Sequence, residues 1–188
     1  MEEITIILIA VGLSMDAVAV AVSFGITRKS INFSDATTVA FWFGGFQALM
    51  PLLGWLVGFT LKELITSVDH WIAFFLLAII GARMIYESFF GKEKDIPVNS
   101  LNIGTLLLLS IATSIDALVV GISLALIDVP IVTPIIIIGF VTFVLSHIGV
   151  FVGKKVGRFF ARKVGIVGGL ILIAIGTKIL LEHLGAFS

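Results

Sequence analysis

Cysteine is absent from the 188 residues, which excludes disulfides, thiolate metal sites and dithiol redox chemistry. Any metal held here is held by oxygen, imidazole or thioether. Charge is scarce as well: charged residues make up 13% of the sequence, against about 25% in a soluble domain. The net charge is zero, so only the placement of the charges informs. Hydrophobic residues make up 59%, and the mean hydropathy is +1.21. Apolar stretches of roughly 18 or more residues recur, each long enough to cross a bilayer as a helix. The composition describes an all-α integral membrane protein in a lipid bilayer, with almost no extramembrane mass and no nucleic-acid partner. The first stretch imitates a signal peptide in length. It carries two glutamates and no basic segment before it, holds an aspartate and lacks a clear small-x-small cleavage site, so it is expected to stay as a span.

The hydropathy pattern predicts six spans, at about 4–26, 36–60, 70–90, 101–127, 131–152 and 164–184. Loops are short, and the charged, proline-bearing stretch KEKDIPVNS at 92–100 is the single linker-like segment. It separates a first three-helix unit, 1–91, from a second, 101–188. The two units repeat one another. SMDAVAVAVS at 14–23 matches SIDALVVGIS at 114–123, both following Ser-x-Asp-Ala-x-x-Val-x-x-Ser. GWLVG at 54–58 matches GVFVG at 149–153, and IGARMIYE at 80–87 matches IGTKILLE at 175–182. The offset is 100 for the first match and 95 for the others; the longer first loop, TRKSINFSD, accounts for the difference against the brief IDVP turn.

An odd number of spans per unit makes the two units cross the membrane in opposite directions. Basic residues test this. With the N-terminus outside, the inner loops hold Arg28, Lys29, Lys92, Lys94, Lys154, Lys155, Arg158, Arg162 and Lys163, while the outer loops hold only Lys62. The expected architecture is therefore six transmembrane helices as two inverted-topology three-helix repeats, with both termini outside the cytoplasm. Secondary transporters with a midplane site are commonly built this way.

Asp16 and Asp116 sit inside the repeated phrases, in the middle of apolar runs. A carboxylate at that depth costs roughly 2.5–3.5 kcal/mol on insertion scales, and such residues mark substrate or ion pathways. Gly12, Ala19, Val20 and Ser23 share a helix face with Asp16; Ala112, Thr113, Val119, Val120 and Ser123 share one with Asp116. Mostly small side chains there let neighbouring helices approach closely. Ser14 and Ser114 lie roughly 200° around a regular helix from the aspartates, so they reach the same site only through a backbone irregularity. The bland alternative is that both aspartates merely hydrogen-bond to neighbouring helices. Two midplane carboxylates together neutralise a divalent cation, and oxygen ligands favour manganese, magnesium or calcium. Proton uptake when the cation leaves makes metal-for-proton exchange the matching hypothesis.

Other residues are candidates for supporting roles. Pro51 removes the intrahelical partner of the Gln47 carbonyl, and that carbonyl, the Gln47 amide and the Met50 thioether cluster at one kink. An ordinary proline kink with a satisfied glutamine is an equal reading. His147, near the symmetry-related part of the fifth span, is a candidate proton carrier, though a lone histidine is more often a packed hydrogen-bonder. Arg83 with Glu87 and Lys178 with Glu182 have i,i+4 spacing and read as ion pairs at span ends, structural before gating. The Gly54/Gly58 and Gly149/Gly153 pairs predict close helix packing within or between protomers, which allows a homodimer.

On the SMDA and TSIDA phrases, the FGGFQALMPLLGW segment and the HWIAF…IGARMIYE stretch, the sequence resembles the putative manganese efflux pump (MntP) family, within the lysine-exporter (LysE) superfamily of six-span transporters. The resemblance runs over essentially the whole chain. It implies a bacterial inner-membrane exporter that lowers cytoplasmic manganese, with no resident cofactor. By motif it points to Asp16 and Asp116 as the central acidic pair, with Gln47 and Met50 as neighbours. Ser14, Ser114 and Thr113 complete the expected ligand set. His147 stands where the family pattern carries a small polar residue. Two rival readings are export of a basic amino acid or other organic cation, suggested by the superfamily, and intramembrane aspartyl proteolysis. Neither aspartate is preceded by the GxGD-type phrase such proteases use.

Overall fold

In this computed structural model the described residues are 3–27, 31–65, 71, 74–76, 78–80, 82, 85–86, 103–156, 170, 173–175, 177–178 and 180–181. Four long helices are described end to end: α1 Glu3–Thr27, α2 Phe33–Ile65, α3 Ile103–Leu126 and α4 Val132–Val156. Each is long and apolar enough to cross a membrane. They correspond to the first, second, fourth and fifth predicted spans, with α2 beginning three residues earlier and ending five later than expected. Every described residue within 71–86 and 170–181 is helical, and no strand occurs among the described residues. Arg83, Glu87, Glu182, the linker 92–100 and the basic residues Arg28, Lys29, Lys92, Lys94, Arg158, Arg162 and Lys163 lie outside the described residues.

Local chemistry sets the helix ends. Asn32 precedes α2, and its carbonyl accepts the Ala36 amide at 3.3 Å; Asp35 in the first turn complements the positive end of the helix dipole. Pro134 falls in the first turn of α4, where its missing N–H costs nothing. α3 ends in a Schellman motif. The Val129 amide donates to the Leu124 carbonyl at 2.9 Å and the Asp128 amide to the Ala125 carbonyl at 3.2 Å. Asp128 takes the required left-handed conformation, φ 58°, which Asp adopts more readily than branched residues. Trp55 of α2 fastens this turn by donating its indole N–H to the Val129 carbonyl at 3.0 Å.

The packing pattern crosses the two sequence units. α1 packs chiefly on α4, and α3 chiefly on α2; α1 and α2, joined by a short loop, hardly touch. Glycines explain why. A Cβ on Gly54 would strike the Leu118 carbonyl, and one on Gly58 would come within 2.8 Å of the Ile122 carbonyl. A Cβ on Gly149 would lie 3.4 Å from the Val18 carbonyl, and one on Gly153 would strike the Val22 carbonyl. These contacts advance together along both chains, so α2 runs parallel to α3 and α4 runs parallel to α1. Gly44 and Gly139 meet where α2 crosses α4: a Cβ on Gly44 would lie 2.8 Å from the Gly139 carbonyl. Thr37 beside His147 farther along sets that pair antiparallel.

Two apolar clusters fill the bundle. One joins Ile9, Ala10 and Leu13 of α1 to Ala117, Val120 and Leu124 of α3, with Ile80, Ile138 and Ile175. The other joins Ala17, Ala21 and Phe24 to Ala36, Val39, Phe43, Leu106 and Val150. Ile9 shares its cluster with Leu124, and Phe24 shares its cluster with Leu106, so α1 and α3 run antiparallel. Large apolar side chains on the outer faces, among them Ile4, Phe41, Phe59, Ile136 and Phe140, are exposed, as a lipid-facing surface requires.

The glycine seams give a direct stability test. Gly54→Ala places a methyl against the Leu118 backbone and should cost about 1–3 kcal/mol, read as a lower thermal midpoint in detergent. Gly45→Ala meets nothing within 4 Å and should leave the midpoint unchanged.

Candidate functional site

Asp16 lies about midway between Ile9 and Phe24 on α1, as Asp116 does between Leu106 and Leu124 on α3. Each aspartate thus sits near the middle of its helix, far from either end. Asp116 is 7% exposed and Asp16 is half-buried. Both helices pass their aspartate as continuous α-helix, with no break to bring the neighbouring serines round. Ser14 donates instead to its own helix, to the Val11 carbonyl at 2.8 Å, and Ser114 does the same to Ser110 and Ile111. Thr113 likewise donates to the Leu109 carbonyl at 2.9 Å. These hydroxyl protons are used within α1 and α3, and their oxygens keep lone pairs that can accept or ligate.

The second span supplies the cross-link. Gln47 is completely buried, and its Nε2 donates to the Leu13 carbonyl of α1 at 2.8 Å. Leu13 lies one turn before Asp16, so Gln47 ties α2 to the turn of α1 that precedes the aspartate. The other end of the glutamine amide, Oε1, is buried and has no hydrogen-bond partner among the described residues. A fixed carbonyl-type oxygen without a hydrogen-bond partner is the kind of donor that a hard cation takes. Met50 is half-buried against the cluster that contains Leu13, Ala117 and Val120. Among the described residues there is no group of three or more His, Cys, Asp or Glu side chains that could hold a metal ion.

His147 occupies a different place. Its Nε2 lies 3.3 Å from the Thr37 hydroxyl, while that hydroxyl donates to the Phe33 carbonyl at 2.9 Å. The ring is surrounded by Phe33, at 4.9 Å between centroids, Phe151 at 5.4 Å and Phe143 at 6.1 Å. Thr37 precedes Gln47 by ten residues, a rise of about 15 Å, so His147 belongs to one end of the α2–α4 seam. A groove of about 460 Å³ lined by Phe33, Ser34, Thr37, Thr38 and Phe41 opens at this end. Lys178 reaches α1: its Nζ lies 3.5 Å from the Thr5 hydroxyl.

Sequence reasoning missed two buried hydroxyls, Ser110 and Thr142; like Ser146 beside His147, they have side-chain oxygens with no hydrogen-bond partner among the described residues. Thr142 had a visible signal, since it follows Gln47 by the same 95 positions that relate the matching glycines. The Gln47 anchor is itself testable. Gln47→Leu removes the bond to Leu13 and should cost about 1 kcal/mol, seen as a lower thermal midpoint of the metal-free protein.

A family model described as "Putative manganese efflux pump" matches residues 30–180. The chain is similar to the putative manganese efflux pump MntP of Methanosarcina mazei, 52% identical over 184 residues covering 98% of each chain. It is 50% identical over 184 residues, with the same coverage, to the protein of that name from Crocosphaera subtropica. The putative manganese efflux pump MntP 2 of Clostridium botulinum, strain Langeland, is 46% identical over 198 residues, covering all of this chain and 98% of the relative. No solved structure matches. Long apolar helices, a repeated aspartate phrase and similarity over nearly the full length agree, and the chain belongs to the putative manganese efflux pump family.

Proposed function

We propose that this chain exports Mn²⁺ from the cytoplasm by proton-coupled alternating access, with Asp16 and Asp116 as a paired midplane site. The observation that carries the reading is the buried Gln47 amide, anchored on the Leu13 carbonyl one turn before Asp16 and with its oxygen left without a partner among the described residues. The relatives' names supply manganese; the oxygen donors fit it as a hard divalent ion. Two carboxylates cancel the cation's charge when it is bound, and protons restore neutrality when it leaves. Gln47 Oε1 ligates without bringing charge, and Met50 closes the apolar wall.

The helix pairing supports the cycle. α1 with α4 and α3 with α2 form two tight pairs along their glycine seams, while α1 and α3 share only a short contact. Rocking of one pair against the other about the Gly44–Gly139 crossing would open the aspartate level first to one side and then to the other. We read the six spans as two inverted repeats on the matched glycine contacts and the antiparallel course of α1 and α3. The basic-residue asymmetry orients both termini outside the cytoplasm of a bacterial inner membrane.

Orientation can be read by labelling, because the chain has no cysteine of its own. Asp128→Cys, in the exposed turn after α3, should react with a membrane-impermeant maleimide on intact cells. Ser34→Cys, exposed at the start of α2, should react only after permeabilisation. The reverse pattern inverts the assigned topology.

Transport is tested in inside-out vesicles with an acidic lumen, which turn cellular export into accumulation. The parent should accumulate Mn²⁺, and Asp16→Asn and Asp116→Asn should each lose at least about tenfold, equivalent to 1.4 kcal/mol. A protonophore should reduce accumulation by the parent. Equal transport by all three proteins would make the aspartates structural, and indifference to the pH gradient would remove the coupling. Lysine accumulation in place of Mn²⁺ would move the substrate to the organic-cation class.

A further inference from the structure

Gln47 and Thr142 are both completely buried, and each carries a side-chain oxygen without a hydrogen-bond partner among the described residues. They occupy corresponding places. Each follows by three residues, one helical turn, the glycine at which α2 and α4 cross: Gly44 before Gln47, Gly139 before Thr142. The glycines that seat α2 on α3 and α4 on α1 meet Leu118 and Ile122 in one seam and Val18 and Ile122's counterpart Val22 in the other. Thr142 therefore holds in the second unit the position that Gln47 holds in the first. Gln47 reaches the Leu13 carbonyl, one turn before Asp16; the matching carbonyl belongs to Thr113, one turn before Asp116.

The conformation of Thr142 adds a second, independent sign. A threonine inside a helix ordinarily donates to the carbonyl four residues back. Thr37, Thr38, Thr60, Thr113 and Thr177 all do so, at 2.8–3.0 Å. Thr142 does not, although a buried unpaired hydroxyl is costly. A buried hydroxyl turned away from the backbone that would satisfy it, on a helix packed against the Asp16 helix, is placed to meet a ligand.

We propose that Thr142 Oγ1 is the second neutral oxygen of the cation site, the counterpart of Gln47 Oε1. This rests on the paired-aspartate reading and extends it: the ion is met by two carboxylates, one amide oxygen and one hydroxyl. The two ends of the site are unequal. On the Asp16 side the amide is held by its bond to Leu13, whereas the Thr142 hydroxyl has no hydrogen-bond partner among the described residues.

Thr142→Val keeps the shape and removes the oxygen; Thr142→Ser keeps the oxygen. Mn²⁺ alone is the probe, titrated into purified full-length protein and followed by the EPR signal of free ion and by the metal-induced rise in thermal midpoint. Thr142→Val should bind about tenfold more weakly with a metal-free midpoint no lower than the parent's, and Thr142→Ser should bind within about twofold of the parent. Unchanged binding by Thr142→Val overturns the assignment, as does an equal loss in both variants accompanied by lower metal-free midpoints, which marks a packing role. Asp16→Asn run in parallel separates the two levels. If it binds Mn²⁺ as the parent does, or the parent binds none, the paired-aspartate site fails and Thr142 falls with it; if only Thr142→Val is silent, the aspartate site stands without the hydroxyl.

Discussion

Backbone-to-backbone contact along two glycine seams is the constraint on which this bundle depends. Lipid tails are as apolar as leucine, so helices in a bilayer gain nothing from hiding hydrocarbon and must associate through close packing. Gly54 and Gly58 let α2 lie directly on the α3 backbone, and Gly149 and Gly153 let α4 lie on α1. Once those pairs are set, α1 and α3 need only brush past one another. The level at which they do so is where a small cluster of polar groups can be accommodated without tearing the core.

That accommodation is visible in how the polar groups are satisfied. Serines and threonines near the aspartates return most of their protons to their own helices, which lets α1 and α3 carry hydroxyls at depth with little penalty. Gln47 departs from this pattern by bonding to a different helix. Its tie to Leu13 fixes the second span against the first at the very place where the proposed ion would sit. Binding and packing therefore share one side chain, and a change to Gln47 acts on both.

Much of this was legible in the sequence. The apolar runs at 4–26, 36–60, 101–127 and 131–152 became α1 to α4, and the GxxxG pairs became seams, because both are local properties of composition and spacing. Which helix each seam would face was not legible: nothing local in GWLVG says that its partner is the SIDALVVGIS helix rather than its own chain neighbour. The depth of Asp16 and Asp116 followed from their place within apolar runs. The cross-helix bond of Gln47 and the unpaired rotamer of Thr142 depend on tertiary contact, and periodicity carries no record of it. His147 shows the same gap, since its aromatic surround and its contact with Thr37 come from α2 and from turns on either side of it.

The cross-unit pairing also has a consequence for how the protein is made. α1 leaves the ribosome well before its main partner, α4, which begins only at Val132. Through the synthesis of more than half the chain, the half-buried carboxylate of Asp16 and the bare backbone strip awaiting Gly149 and Gly153 stand in the membrane without their final cover. The α1–α4 pair thus closes last, after α2 and α3 have both been made.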